Sequence, residues 1–150
     1  MAQSLARNLI HLIFSTKNRA PLLKATIRSE LNGYMAGIFT NWESPAIIIG
    51  SVADHVHALF GLSKNHALVK VVEEVKRISS KWIKTKRKES AHFTWQNGFG
   101  AFSVSSSMVK TLSRYIGRQE EQHRQVTFLN EIRKSCRRQD VDFDERFAWG

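Results

Sequence analysis

Asp54-His55-Val56-His57-Ala58-Leu59-Phe60 is the stretch whose reading decides the fold. Alternation along a β-strand turns His55 and His57 to one face and Val56, Ala58 and Phe60 to the other. The apolar face needs helices packed against it. The other face carries two imidazoles two residues apart, and such a pair can grip one metal ion. Upstream, Pro45 stops any helix and residues 46–49, rich in β-branched side chains, read as a strand. Gly50-Ser51-Val52 is so short a connection into the histidine strand that the two strands form an antiparallel hairpin.

Further outward, residues 9–14 are apolar except for His11 and read as a central strand buried on both faces. His11 shares a face with Leu9 and Ile13; it could approach the histidine pair, but it reads better as a hydrogen-bonded, half-buried side chain. Leu23, Ile27, Leu31, Tyr34 or Met35, and Ile38 then form one helical stripe, which assigns Tyr34 to the core. A second amphipathic helix is expected over 67–88, with Leu68, Val72, Val75, Ser79 and Trp82 facing inward. Its other face carries Lys70, Arg77, Lys81, Lys84 and Lys88, with Lys76, Lys86 and Arg87 beside them, and could follow a phosphate backbone. Gly98 and Gly100 punctuate a loop before a last strand at 101–104, and Trp95, Phe99 and Phe102 could stack on unpaired bases but read chiefly as packing residues.

Ser105-Ser106-Ser107 can cap a third helix, in which Met108, Leu112, Tyr115, Gln119 and Gln122 or His123 share a face. Tyr115 and Gln119, at i and i+4, therefore present a phenol and an amide together. Gly117 inside that helix suggests close backbone packing or flexibility. A basic helix over 128–138, with Arg133, Lys134, Arg137 and Arg138, precedes the acidic stretch 140–145.

Strand, helix, strand, strand, helix, strand is the split βαβ order of an α+β, ferredoxin-like or RRM-like fold. It implies a four-stranded antiparallel sheet with two helices on one face and a tyrosine-bearing C-terminal helix near the other. The 150 residues, 42% hydrophobic and 24% charged, suit a single globular domain over 1–150. Lys and Arg number 23 against 13 acidic residues, a net charge of +10 with pI near 10.2, which points to a polyanionic partner, nucleic acid first. Cys136 alone cannot make an internal disulfide, nothing resembles an export segment, and no stretch approaches the ~18 apolar residues of a membrane span, so a cytosolic location is expected. Cys136 itself reads as structural or incidental.

If the third helix crosses the histidine face, Gln119 becomes a third metal ligand beside His55 and His57, and Tyr115 a nucleophile at the same place. Neutral ligands would leave the ion's charge free to polarise a phosphate. Attack by Tyr115 would leave a phosphotyrosine link to DNA and a free 3′ hydroxyl, conserving the bond energy for rejoining.

At these residues the chain resembles the single-tyrosine HUH transposases of small bacterial insertion sequences. The resemblance runs from Asn8 to Trp149 and rests on four strings: His11-Leu-Ile-Phe-Ser-Thr-Lys17, Asp54-His-Val-His57, Trp95-Gln-Asn-Gly-Phe-Gly-Ala-Phe-Ser-Val-Ser105 and Tyr115-Ile-Gly-Arg-Gln119. It implies Mg²⁺ or Mn²⁺ on His55, His57 and Gln119, Tyr115 as nucleophile, and cleavage and rejoining of single-stranded DNA through a 5′-phosphotyrosine. It also implies recognition of DNA hairpins at element ends by a homodimer whose sites are completed between subunits, in a cytoplasmic protein that joins the nucleoid when bound to DNA. Gln122-His123 stands where the family commonly has paired histidines. Two other functions fit parts of the sequence: a non-catalytic module that binds single-stranded nucleic acid or hairpins, and a metal nuclease in which water attacks and Tyr115 only packs.

Overall fold

The computed structural model describes residues 3–119 and 128–141. Four strands, β1 (Asn8–Ser15), β2 (Ala46–Ser51), β3 (His55–Leu62) and β4 (Gly100–Val104), form one antiparallel sheet in the order β2-β3-β1-β4. Helices α1 (Ala25–Asn41) and α2 (Leu68–Lys84) are the two crossovers. The α+β split βαβ expectation is met, β1 is interior, and β2 and β3 pair as the predicted hairpin.

The alternation in β3 divides the molecule. Val56, Ala58 and Phe60, with Leu12 and Phe14 of β1, enter the main core with Leu31, Met35, Ile38 and Phe39 of α1 and Val71, Val72, Val75 and Ile83 of α2. Full burial of each such side chain contributes about 1.5–3 kcal/mol. Ser79, a hydroxyl in an apolar stripe, accepts the indole N–H of buried Trp95 at 3.0 Å, so both polar groups are satisfied.

Several expectations are corrected. Met35, not Tyr34, fills the core; Tyr34 is 40% exposed and stacks on Trp82 at 5.2 Å. α2 ends at Lys84, where the Thr85 hydroxyl donates to the Trp82 carbonyl, so Lys86, Arg87 and Lys88 lie beyond it. Lys76 turns inward and donates to the carbonyls of Gln96 and Gly98; burial lowers its pKa to about 8. No serine caps the tyrosine helix: residues Ser106–Met108 form a 3₁₀ turn that runs straight into it, and Ser105 and Ser107 bond each other. No described helix is long and apolar enough to cross a membrane.

On the histidine face lie two further helices, α3 (Val109–Gly117) and α4 (Phe128–Arg138). α3 packs on β2 at its tightest point over Gly50, where a Cβ would stand 2.5 Å from the Ile116 carbonyl oxygen and 2.9 Å from its Cγ2. Gly50 is also the cross-strand neighbour of His57. The glycine that permits close packing is thus Gly50 rather than Gly117, whose Cβ would meet only Ile48 Cδ1 at 3.8 Å. α4 packs through Ile132 and Cys136 on Ile13 and Phe102, and Gly100 leaves room for Ile132. Cys136 is therefore a packing residue here.

Because the obstacle at Gly50 is backbone, Gly50→Ala must push α3 off the sheet. Urea unfolding should show a loss of about 1–3 kcal/mol, the usual cost of overpacking. Gly117→Ala should cost nothing comparable and can gain up to ~1 kcal/mol of helix propensity.

Candidate active site

β3 is hydrogen-bonded on both edges, and its ladder sets His55 and His57 side by side, both buried. Each ring is held from behind through Nδ1. His55 Nδ1 lies 2.7 Å from Asp54 Oδ1, and His57 Nδ1 lies 2.8 Å from Nε2 of His11, the two rings stacking at 5.1 Å. His11 stands on β1 opposite Leu59, one side-chain repeat along from the Ile13–His57 pair, which is why the two imidazoles meet diagonally.

Both Nε2 atoms face the carboxylate of Glu131 on α4. Its Oε2 is 3.0 Å from His57 Nε2 and 3.4 Å from His55 Nε2, while its Oε1 accepts the Tyr115 hydroxyl at 2.6 Å. One carboxylate therefore bridges the histidine pair to the phenol. Tyr115 reaches it because α3 crosses β2 over Gly50; its ring stands edge-on to His57 at 5.8 Å. Beside the cluster opens a cavity of about 280 Å³ lined by His11, His57, Leu112, Tyr115, Glu131 and Arg138.

The electrostatics follow from burial and these contacts. Burial would raise the Glu131 pKa, but hydrogen bonds to His55 and His57 outweigh it and hold the carboxyl well below its ordinary range. Burial would lower His55, yet its bonds to Asp54 and Glu131 raise it overall. His11 falls to about 3, first through burial and then through proximity to His57, so it is neutral. Tyr115 is pushed upward by burial and then by its bond to Glu131, opposed by Gln119 and Arg138.

The site thus brings His55, His57 and Tyr115 together, and His11, buried rather than half-buried, approaches the pair through its hydrogen bond to His57. Gln119 is buried just past the end of α3, and its amide donates to the Tyr115 carbonyl at 3.3 Å. It also borders a polar cavity of about 580 Å³ lined with Arg28, Asn32, Ser51 and Arg118. Gln122 and His123 lie outside the described residues. Lys70, Arg77, Lys81 and Lys84 lie on α2, across the sheet from the histidines, and Lys88 in the 3₁₀ turn after it. Two of them are engaged by Glu74, Arg77 Nη2 at 2.6 Å and Lys70 Nζ at 3.2 Å.

Glu131 was not singled out in the sequence. The signal is there: it is the only acidic residue of α4 and adjoins Ile132, which with Cys136 makes the apolar edge of a helix otherwise rich in Arg and Lys. A lone carboxylate beside a buried stripe is a candidate for a buried polar role. His55, His57 and Glu131 present three ligand atoms within 4.8 Å of one another, and two imidazoles with a carboxylate suit a divalent ion.

The Glu131–Tyr115 bond has a measurable consequence. In a Tyr34→Phe background Tyr115 is the sole tyrosine, so its ionisation can be followed by phenolate absorbance. Glu131→Gln removes the negative charge and should lower the Tyr115 pKa; an unshifted titration would show that the carboxylate does not govern the phenol.

Comparison with known proteins agrees with this picture. No curated protein matches the sequence. Among solved structures, a Deinococcus radiodurans R1 protein provisionally assigned as a transposase superposes with a TM-score of 0.62 at 21% identity, covering 79% of this chain and 98% of its own. The REP-associated tyrosine transposase, solved bound to a REP hairpin, superposes at 0.61 with 14% identity, covering 84% of this chain and 74% of its own. The sequence model for IS200-like transposases matches residues 4–119, from ahead of the first strand through Gln119, and the chain belongs to that family.

Proposed function

We propose that the protein cuts and rejoins single-stranded DNA beside hairpins, with Tyr115 as nucleophile and a divalent ion on His55 and His57. The observation that carries this is the single carboxylate of Glu131, which touches both the phenol and the histidine pair, at 2.6 Å and 3.0 Å. Family membership supports the reaction class, and the hairpin-bound neighbour supports the form of the DNA partner.

The ion's oxygen ligand is proposed to be Glu131, with the amide of Gln119 available from the same side as Tyr115. A site with two nitrogen donors takes Mn²⁺ at least as readily as Mg²⁺. When bound, the ion supplies Lewis-acid polarisation of the scissile phosphate. The remaining work belongs to the chain. His55 and His57 fix where the phosphate sits, and α3 aims Tyr115 from beside it. The hydroxyl already directs its proton at Glu131 Oε1, which can take it as the phenol oxygen attacks phosphorus. The new bond is Tyr115 Oη to phosphorus, and the broken bond is that to the 3′ oxygen, which takes the proton passed on by Glu131 and leaves as a hydroxyl. Reversal with a different 3′ hydroxyl joins strands without an external energy source.

The net charge of +10 suits a phosphate backbone. A homodimer is proposed on the family pattern alone, as is action in the cytoplasm at the nucleoid.

The test is a denaturing gel of a labelled hairpin-bearing single strand incubated with Mn²⁺. Wild type should give a covalent protein–DNA adduct. Tyr115→Phe removes only a hydroxyl, so it should bind the hairpin at near wild-type affinity yet form no adduct, and His57→Ala should lose cleavage. A cut strand without adduct would instead indicate a water-activating nuclease, and an intact strand bound tightly would indicate a binding module.

A further inference from the structure

We infer that His11 is the positioning residue of the metal centre: an imidazole that keeps its bond to His57 in whichever tautomer His57 adopts. This rests on the metal-site reading above. His11 Nε2 lies 2.8 Å from His57 Nδ1, and His57 Nε2 is turned to Glu131 at 3.0 Å.

Without an ion, a neutral His57 bonds the Glu131 carboxylate only by donating, so its proton sits on Nε2. Its Nδ1 must then accept, and His11 Nε2 must be the donor. With an ion, the Nε2 lone pair is needed as ligand, so the His57 proton sits on Nδ1 and must be donated. His11 Nε2 is then the acceptor. Each ring moves its one proton from Nε2 to Nδ1, and neither gains nor loses one: His57 goes from Nε2–H to Nδ1–H, and His11 does the same. His11 lines the cavity beside Tyr115, which gives those protons a route of exchange with solvent.

The partner of the other histidine differs in kind. Asp54, an ionised carboxylate, only accepts, so it holds a proton on His55 Nδ1 in both states. A carboxylate in place of His11 could not donate to His57 in the ion-free state, and an apolar residue could do neither. An imidazole at position 11 serves both states in a buried place where an unmade hydrogen bond is costly.

The experiment compares wild type, His11→Leu and His11→Gln, the last being able to donate or accept. Binding of Mn²⁺ alone is followed by electron paramagnetic resonance, and imidazole tautomers by long-range ¹H–¹⁵N spectra of histidine-labelled wild type, ion-free and with diamagnetic Zn²⁺. His11→Leu should weaken Mn²⁺ binding roughly 10–100-fold, as loss of such an outer partner does, and His11→Gln should restore most of it. In wild type the His57 proton should move from Nε2 to Nδ1 on addition of Zn²⁺, a result that needs no variant to fold. Wild-type affinity in His11→Leu, or the same His57 tautomer with and without Zn²⁺, would overturn the inference while leaving the metal centre standing. Failure of wild type itself to bind Mn²⁺ would overturn the metal centre and this inference with it.

Discussion

The carboxylate of Glu131 ties together three parts of the chain that have little else in common. Burying a charge is expensive unless it is paired and hydrogen-bonded, and Glu131 is 3% exposed. His55, His57 and Tyr115 supply the compensation, so β3, α3 and α4 are held in one mutual arrangement by the need to satisfy it. The apolar contacts of α4 with the sheet, through Ile132 and Cys136, set its height above the strands. The carboxylate sets where along the strands it sits. The same contacts raise the phenol's pKa, so the Tyr115 hydroxyl is held protonated.

How much of this was legible in the sequence depended on whether the signal was local. Strand alternation in β3 and helical spacing in α1 and α2 are imposed by the nearest few residues, and they gave the sheet, the two-helix layer and the face on which His55 and His57 lie. Tyr115 and Gln119 were legible for the same reason. Glu131 was not, because its role is created only when its helix docks on the histidine face through Ile132 and Cys136, and local charge marked that helix only as basic. Tyr34 misled in a related way: positions 34 and 35 both satisfy a helical stripe, and only the packing against α2 decides that Met35 goes in while Tyr34 lies out against Trp82. Gly117 drew notice for being in a helix, whereas the constraint at Gly50 arises from a segment sixty-odd positions later whose approach no local pattern announces.

The distribution of charge is less simple than the count. α2, whose basic face looked like the track for a phosphate backbone, covers the side of the sheet away from Tyr115. Part of its charge is also engaged within the chain, half-exposed Arg77 and Lys70 by Glu74, and Lys76 by the carbonyls of Gln96 and Gly98. Lys86 lies over the Trp82 ring at 4.5 Å and pairs with Glu30. α4 instead supplies Lys134 and Arg138, which border the cavity beside Tyr115. The basic face of α2 and the cations beside Tyr115 therefore belong to different helices on opposite sides of the sheet.

A period of two along β3 has one more consequence, for how this protein tolerates change in its length. Both faces of the strand are spoken for: alternate residues fill the main core, and those between them hold the buried cluster. Insertion or deletion of a single residue within β3 would exchange the two sets, setting imidazoles against α1 and α2 and phenylalanine against Glu131. Loss of chemistry and loss of fold would arrive in one step, with no intermediate length at which either survives. Point substitutions can tune this strand; changes of length within it are closed off.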